Sequence, residues 1–354
     1  MDNGNFDFQD QDIICTDCAE AFDEKKEKRF FSRIGFGFAL FSLVYLGVAL
    51  IIQLLVYIVY PDFLETTLFA NLLSPVSLYL FGLPVLLIVI GGIKAKAPEK
   101  KKMKFSAWLM IFIICLGVMY IGAYIGEFVV SNVSGILSWF FESEPTNDLN
   151  SLIDVNNLWI TAIVMVIVAP VGEELIFRKL LMDRLGRYGA FVSIFLSALL
   201  FGLVHGNFYQ FFYAFGVGLV FGYVYYATGN VFLTIGLHAS VNFFGSIVSV
   251  LLSLGLQEFV TALSKTNSED VNAILGVLGD YIWVIFAVLV FYSVVLAAIV
   301  CAIVLPIALR KKIVLEKGDG QLPKGKGFST VVGNAGMIVM LAVCGVNFIL
   351  NLIG

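Results

Sequence analysis

Long apolar runs alternate with short polar connectors along most of the chain, and this pattern predicts membrane-spanning helices. Most runs reach the roughly 20 residues that an α-helix needs to cross the hydrocarbon core of a bilayer. A membrane β-barrel would instead show alternating segments of about 10 residues, so strands are not expected. We expect an all-α, polytopic transmembrane helical bundle of about nine spanning helices, with eight as the alternative count. The apolar runs lie at 34–60, 70–93, 105–130, 157–182, 190–206, 209–228, 231–254, 279–309 and 330–353.

The same pattern divides the chain into four parts. Residues 1–33 form an N-terminal tail that is first acidic and then basic. Residues 34–156 comprise the first three spanning helices and an outer loop. Four helices follow over 157–254, and the C-terminal helices occupy 255–354.

The positions of the Lys and Arg residues predict the orientation of the helices. If the helices alternate in direction, every Lys and Arg except Lys265 lies on one side of the membrane. Cytoplasmic loops carry an excess of these residues. We therefore expect a cytoplasmic N-terminus and, with nine crossings, an external C-terminus. The basic residues fall within 25–33, 94–104, 178–187 and 310–326.

Composition excludes several classes of protein. The chain is 60% hydrophobic and 14% charged, with a mean hydropathy of +0.94, which is far too apolar for a soluble domain. The net charge of -4 comes without a basic patch, so no nucleic-acid partner is expected. Cys15 and Cys18 lack a second pair of ligands for zinc, and we interpret them as reduced thiols in the tail.

Ionisable residues inside the apolar runs mark the candidate functional site. Such groups cost a few kcal/mol or more in hydrocarbon, so a membrane protein that keeps them there is expected to use them. They include the only two histidines of the chain. The three pieces that carry them are Gly172-Glu173-Glu174-Leu175-Ile176-Phe177-Arg178, Phe201-Gly202-Leu203-Val204-His205 and His238-Ala239-Ser240-Val241-Asn242.

The three pieces have the forms EExxxR, FxxxH and HxxxN, in this order on successive apolar segments. Together they resemble the signature of the CPBP family of intramembrane proteases, which includes CAAX prenyl endopeptidases and bacteriocin self-immunity proteins. The resemblance covers about a quarter of the chain and implies that 157–254 is a catalytic core. With the apolar pattern, it leads us to expect an integral, multi-pass protein of a bacterial plasma membrane.

The resemblance also implies an activity. CAAX proteases remove a C-terminal tripeptide from a prenylated protein, so we expect a peptidase that acts on a membrane-associated or prenylated substrate. Glu173 would activate water, His205 would orient that water, and His238 with Asn242 would polarise the substrate carbonyl and stabilise the oxyanion. The expected partners are membrane lipid and a peptide or lipidated protein. Lys179 stands where many members have glycine, so the fine specificity of the family is not carried over.

Spacing predicts which of these residues meet. Glu173 lies about 15 residues before the turn near 186–189 and His205 about 17 after it, so at ~1.5 Å per residue both stand at nearly the same level of a helical hairpin. We expect them to share a water molecule. His238 and Asn242 are four residues apart and share a helix face. Glu174 and Arg178 have the same spacing, and either form an ion pair or leave Arg178 to extend to the cytoplasmic interface.

Three alternatives stay open at this stage. A zinc ion could be held by Glu173, His205 and His238, with Glu174 as the base. A transporter or proton relay would also use buried Glu and His residues. The third alternative is a non-catalytic immunity or scaffold protein that retains the same fold.

Overall fold

The structure is a computed structural model that describes residues 23–137, 158–267, 270–318, 320, 322 and 325–353. Within these ranges the regular structure is helical and no strand occurs. Two sequence predictions lie outside the described residues: the pair Cys15 and Cys18 in the tail, and most of the outer loop before residue 157. The fold class predicted from the apolar pattern is confirmed.

The helices are numbered here in chain order, and each apolar run of the sequence corresponds to one of them. Several are composites of consecutive α-helical and π-helical segments. The helices are α1 Glu24–Val59, α2 Thr67–Ile90, α3 Phe105–Leu137, α4 158–185, α5 Gly189–Val204, α6 Phe208–Thr228, α7 Val231–Ser264, α8 Val271–Asp280, α9 Ile282–Ala308, α10 Gly327–Val331 and α11 Ala335–Ile353.

Eight helical stretches in the described part of the chain are long and apolar enough to cross a membrane. One of these stretches, Leu158–Val204, has 47 residues and contains both α4 and α5. The two helices are separated by the 3-10 turn Gly186–Tyr188 and by Gly189, whose φ of 85° reverses the chain. The nine predicted runs and the eight stretches therefore describe the same helices.

Helix α1 begins ten residues before the predicted run. Its N-cap is Asp23, whose carboxylate accepts hydrogen bonds from the backbone N–H groups of Lys25 and Lys26 at 2.9 and 3.1 Å. A side-chain cap of this kind satisfies donors that the first turn of a helix leaves free. The basic segment that follows the tail is consequently helical and continuous with the first spanning helix.

The connectors that carry Lys and Arg meet at one end of the bundle, which is called the basic face here. It comprises the N-terminal end of α1, the described residues of the connectors 91–104, 186–188 and 309–326, and the uncharged turn 229–230. The contacts that join them are Lys96 N to Asp183 O (2.6 Å), Lys101 N to Thr228 O (2.8 Å), Ala190 N to Glu316 O (2.9 Å) and Lys326 Nζ to Glu24 Oε2 (2.7 Å).

Helices α1 and α11 run parallel from this face. Near its N-terminal end α1 approaches α11 through Gly35, where an added Cβ would lie 2.3 Å from the carbonyl carbon of Gly336. Further along, Ser42 and Val343 line one small cavity between the two helices. Because α1 and α11 are parallel, their C-terminal ends lie at the same end of the bundle. A chain that crosses the membrane an odd number of times requires this arrangement of its first and last helices. That the basic face is cytoplasmic remains a prediction.

Four segments of the described chain are π-helical: Val76–Gly82, Ile163–Val168, Leu175–Met182 and Phe243–Val248. Such segments are rare and frequently lie at functional sites. Two of them lie in α4, on either side of the short α-helical segment Ala169–Glu174. A third follows Asn242 in α7. The candidate residues of α4 and α7 are thus placed at irregular parts of their helices.

Candidate functional site

The two glutamates are positioned by an interruption in the hydrogen bonding of α4. The N–H of Ala169 bonds to the carbonyl of Val164, five residues earlier, as in a π-helix. In the same register Pro170 would bond to the carbonyl of Met165, but proline has no N–H. The side-chain amide of Asn242 donates to that carbonyl instead, at 2.8 Å. Pro170 therefore creates an acceptor in α4 that Asn242 of α7 satisfies.

Glu174 and Arg178 form a buried ion pair inside the bundle. Arg178 Nε lies 3.1 Å from Glu174 Oε2, and both side chains are fully buried. The guanidinium also packs over the rings of Phe201 and Phe221, with its carbon 5.1 and 5.7 Å from their centroids. The carboxylate and the two rings balance a charge that would otherwise be costly to bury. The guanidinium nitrogens themselves have no hydrogen-bond partner among the described residues. Of the two sequence alternatives, the ion pair is the one that forms, and Arg178 does not extend to the interface.

His238 lies between the two glutamates. Its Nδ1 is 3.1 Å from Glu174 Oε1, and its Nε2 is 3.6 Å from Glu173 Oε2. Because a carboxylate accepts, the Nδ1–H donates to Glu174, and this bond fixes the ring so that Nε2 faces Glu173. Glu174 is fully buried, whereas the Glu173 side chain is 19% exposed. Glu173 is thus the carboxylate of this cluster that a water molecule or substrate can reach.

His205 lies at the C-terminal end of α5, and its imidazole is held by its own helix. Its Nδ1–H donates to the carbonyl of Phe201 at 2.7 Å, which leaves Nε2 as the nitrogen that can accept a hydrogen bond. The Phe201 ring contacts both histidines, with centroid separations of 4.9 Å to His205 and 5.7 Å to His238. One aromatic ring therefore connects the two motif histidines.

The structure pairs Glu173 directly with His238. Among the described residues the ion-pair contact of Glu173 is to His238, and the hydrogen bond of the His205 side chain is to the carbonyl of Phe201. The water shared by Glu173 and His205 stays a prediction. Asn242, one turn beyond His238, joins the cluster through its bond to α4. Glu174 as the partner of His238 is a contact that sequence reasoning missed.

Tyr79 of α2 is a second contact that the sequence did not indicate. Gly172 packs against its ring so closely that an added Cβ would lie 2.3 Å from Tyr79 Cε1. The Tyr79 hydroxyl donates to the carbonyl of Ala169 at 3.3 Å. Glycine before the glutamate pair lets the tyrosine approach the backbone of α4.

The described residues do not form a three-ligand metal site. No group of three or more His, Cys, Asp or Glu side chains in this part of the chain is arranged to hold a metal ion. Both ring nitrogens of His238 face carboxylates, and Nδ1 of His205 faces a backbone carbonyl. Zinc binding by Glu173, His205 and His238 stays a prediction.

Comparison with known families identifies the same region of the chain. Residues 155–244 match the family model described as type II CAAX prenyl endopeptidase Rce1-like. The matched segment contains all three motifs and the whole Glu173, Glu174, Arg178 and His238 cluster. No curated protein and no solved structure matches the chain.

Proposed function

We propose that this chain, a multi-pass membrane protein whose residues 155–244 match a CAAX protease family model, is an intramembrane endopeptidase that hydrolyses a peptide bond of a membrane-associated or prenylated substrate. The observation that supports this most directly is the arrangement of His238 between a buried and a reachable carboxylate. Hydrolysis needs a base for water, a group that positions the reactants and donors for the oxyanion. The cluster offers each of these.

In this proposal Glu173 is the general base. Its carboxylate is partly exposed, so it can accept a proton from a water molecule that enters beside it. Glu174 is fully buried and bonded to His238, and its charge is balanced by Arg178. Glu174 and Arg178 are therefore positioning residues, which orient the imidazole as the carboxylate does in other His-carboxylate pairs.

His238, Asn242 and His205 have the remaining catalytic roles in the proposal. When Nε2 of His238 carries a proton, it can donate a hydrogen bond to the carbonyl oxygen of the substrate, which develops negative charge during the reaction. The Asn242 amide uses one N–H for the Met165 carbonyl, and its second N–H remains a donor for the same oxygen. His205, with Nδ1 occupied, presents Nε2 to the attacking water.

The proposal extends to location and domain organisation. We assign residues 157–254 as the catalytic core and place the protein in the plasma membrane of a bacterium, with the basic face in the cytoplasm. The accumulation of Lys and Arg connectors at one end of the bundle supports this orientation. A substrate would then reach the cluster from the cytoplasm or sideways from the lipid.

The direct test is peptide cleavage by the purified full-length protein in detergent. Quenched fluorescent peptides are supplied in matched prenylated and unprenylated forms. The wild type should cleave a lipidated or membrane peptide, and Glu173→Ala should abolish cleavage. Glu258→Ala, at an exposed carboxylate elsewhere in α7, is the matched control and should cleave normally. Failure of the wild type to cleave any of these peptides would favour the immunity or relay alternatives over the enzyme.

A further inference from the structure

An open cleft lies on the basic face, away from the candidate catalytic cluster. It has a volume of about 830 Å³ and lies between the first turns of α1 and the start of α11. Its charged lining consists of Lys25, Lys28, Arg29, Arg33 and Glu24. The cleft is therefore built from four cations and one carboxylate.

The single carboxylate does not neutralise the cleft. Glu24 is already paired with Lys28 at 3.0 Å and with Lys326 at 2.7 Å. Within the described residues, no carboxylate lies at ion-pair distance from the side chains of Lys25, Arg29 or Arg33. An uncompensated group of cations around a concave surface attracts an anionic ligand.

Arg33 is held in position for such a ligand. Its Nε donates to the carbonyl of Val89, near the C-terminal end of α2, at 2.6 Å. That bond fixes the plane of the guanidinium and leaves the terminal nitrogens to donate. A planar fork of donors matches the oxygens of a phosphate group. Asn334 and Ala335 at the N-terminal end of α11 border the same wall, and the first N–H groups of that helix are already bonded to Ser32 and Asn334.

The deeper wall of the cleft is apolar. Phe36, which is 46% exposed, lies one turn beyond Arg33 on α1, and Val89 lies opposite on α2. Both residues belong to stretches that are long and apolar enough to cross the membrane. Lys25, Arg29 and Arg33 precede the apolar run that begins at residue 34, whereas Phe36 and Val89 lie inside apolar runs. A free anion would bind the cations but would make no use of the apolar wall, whereas a lipid would contact both.

We propose that this cleft binds the phosphate headgroup of an anionic phospholipid, with an acyl chain against Phe36 and Val89. The site is separate from the proposed peptidase activity and does not depend on it. The acidic residues of the N-terminal tail, such as Asp10, Asp12 and Asp17, are the competing occupant within the chain. The lipid is favoured because the cations come directly before the apolar run of α1, at the level expected for lipid headgroups. The tail also carries Phe6, Phe8, Ile13 and Ile14, so its binding is the alternative outcome of the test.

The test is native mass spectrometry of the full-length protein in a neutral detergent, with equal amounts of phosphatidylglycerol and phosphatidylcholine. The wild type should retain phosphatidylglycerol preferentially. A cation near an anionic lipid surface contributes enough to change affinity roughly fivefold, so Arg29→Gln with Arg33→Gln should weaken the preference roughly 25-fold. The control pair, Lys311→Gln with Lys312→Gln, removes the same charge from exposed positions elsewhere on the basic face and should leave the preference intact.

Additional variants and conditions distinguish lipid binding from misfolding, from binding of free phosphate and from binding of the N-terminal tail. Lys25→Gln with Arg29→Gln spares the Arg33 anchor, so a similar loss in this variant excludes misfolding as the cause. Equal retention of both lipids, or an unchanged preference in both cleft variants, would overturn the proposal. Displacement of the lipid by equimolar inorganic phosphate would show that the acyl chain contributes nothing and would also overturn it. A large gain in lipid binding on neutralising Asp10, Asp12 and Asp17 would assign the cleft to the tail.

Discussion

Removing Arg178 tests the buried ion pair on which the candidate site depends. In Arg178→Met the side chain keeps much of its volume but loses its charge, so Glu174 loses its counter-charge and keeps its contact to His238. Both members of the pair are fully buried, with 3.1 Å between Nε and Oε2. Loss of one partner of a buried pair typically costs about 3–5 kcal/mol, because the other charge is left uncompensated. We expect a loss of that size in the free energy of unfolding, measured in mixed detergent micelles.

The neighbouring pair of Lys179 and Asp183 provides a matched control on the same helix. It has the same four-residue spacing and a shorter separation of 2.7 Å, but the Lys179 side chain is 49% exposed. Asp183 is buried, but it keeps the hydrogen bond from the Tyr225 hydroxyl at 2.6 Å when Lys179 is removed. Lys179 reaches solvent, so Lys179→Met should cost only about 1 kcal/mol. The difference between the two variants reports the effect of burying the cation.

A double-mutant cycle completes this test. Glu174→Gln should be costly by itself, since it leaves the Arg178 guanidinium without a counter-charge. The double variant removes both charges, so it should be more stable than the sum of the single losses predicts, by about 2 kcal/mol. Additive losses, or an Arg178→Met variant as stable as Lys179→Met, would refute the structural role assigned to the pair.

Two further predictions concern the links within the bundle and its orientation. Asn242→Ala should lower the free energy of unfolding by about 1–3 kcal/mol, because it leaves the half-buried carbonyl of Met165 in α4 unsatisfied. Pro170→Ala restores a backbone N–H in α4 and should recover part of that loss in the double variant; no recovery would count against the proline explanation. For orientation, a cysteine placed at Lys101 should resist a membrane-impermeant thiol reagent in intact cells, while one at Gly354 should react. Reaction at position 101 from outside would reverse the assignment of the basic face.

Much of the fold could be predicted because membrane helices are specified by long apolar runs. The same holds for the basic face, since the distribution of Lys and Arg reports which connectors lie together. The start of α1 could not be located in this way. The Asp23 cap precedes a charged segment that carries no apolar signal. A hydropathy pattern therefore does not reveal that α1 begins before its apolar, membrane-spanning part.

The pairing inside the candidate site was predicted less well, and the reason is geometric. Counting residues from a turn gives the height of a side chain along its helix but not the direction in which it points. Each extra residue in a helix rotates everything that follows by about 100°. The π-helical segments on both sides of Glu173 and Glu174 introduce rotations of this kind. Hence the spacing correctly placed Glu174 beside Arg178, within one helix, but did not reveal that His238 lies between the glutamates.

The measurement that tests the proposed mechanism most directly determines kcat and KM separately for Glu173→Gln, on a peptide that the wild type cleaves. Glutamine keeps the shape of the side chain and removes its ability to accept a proton. If Glu173 activates water, kcat should fall by ~10²-fold or more while KM changes little. Glu174→Gln in a parallel assay should act mainly through stability and the orientation of His238. A Glu173→Gln variant with the kcat of the wild type would contradict the account, because the reachable carboxylate would then not be the base.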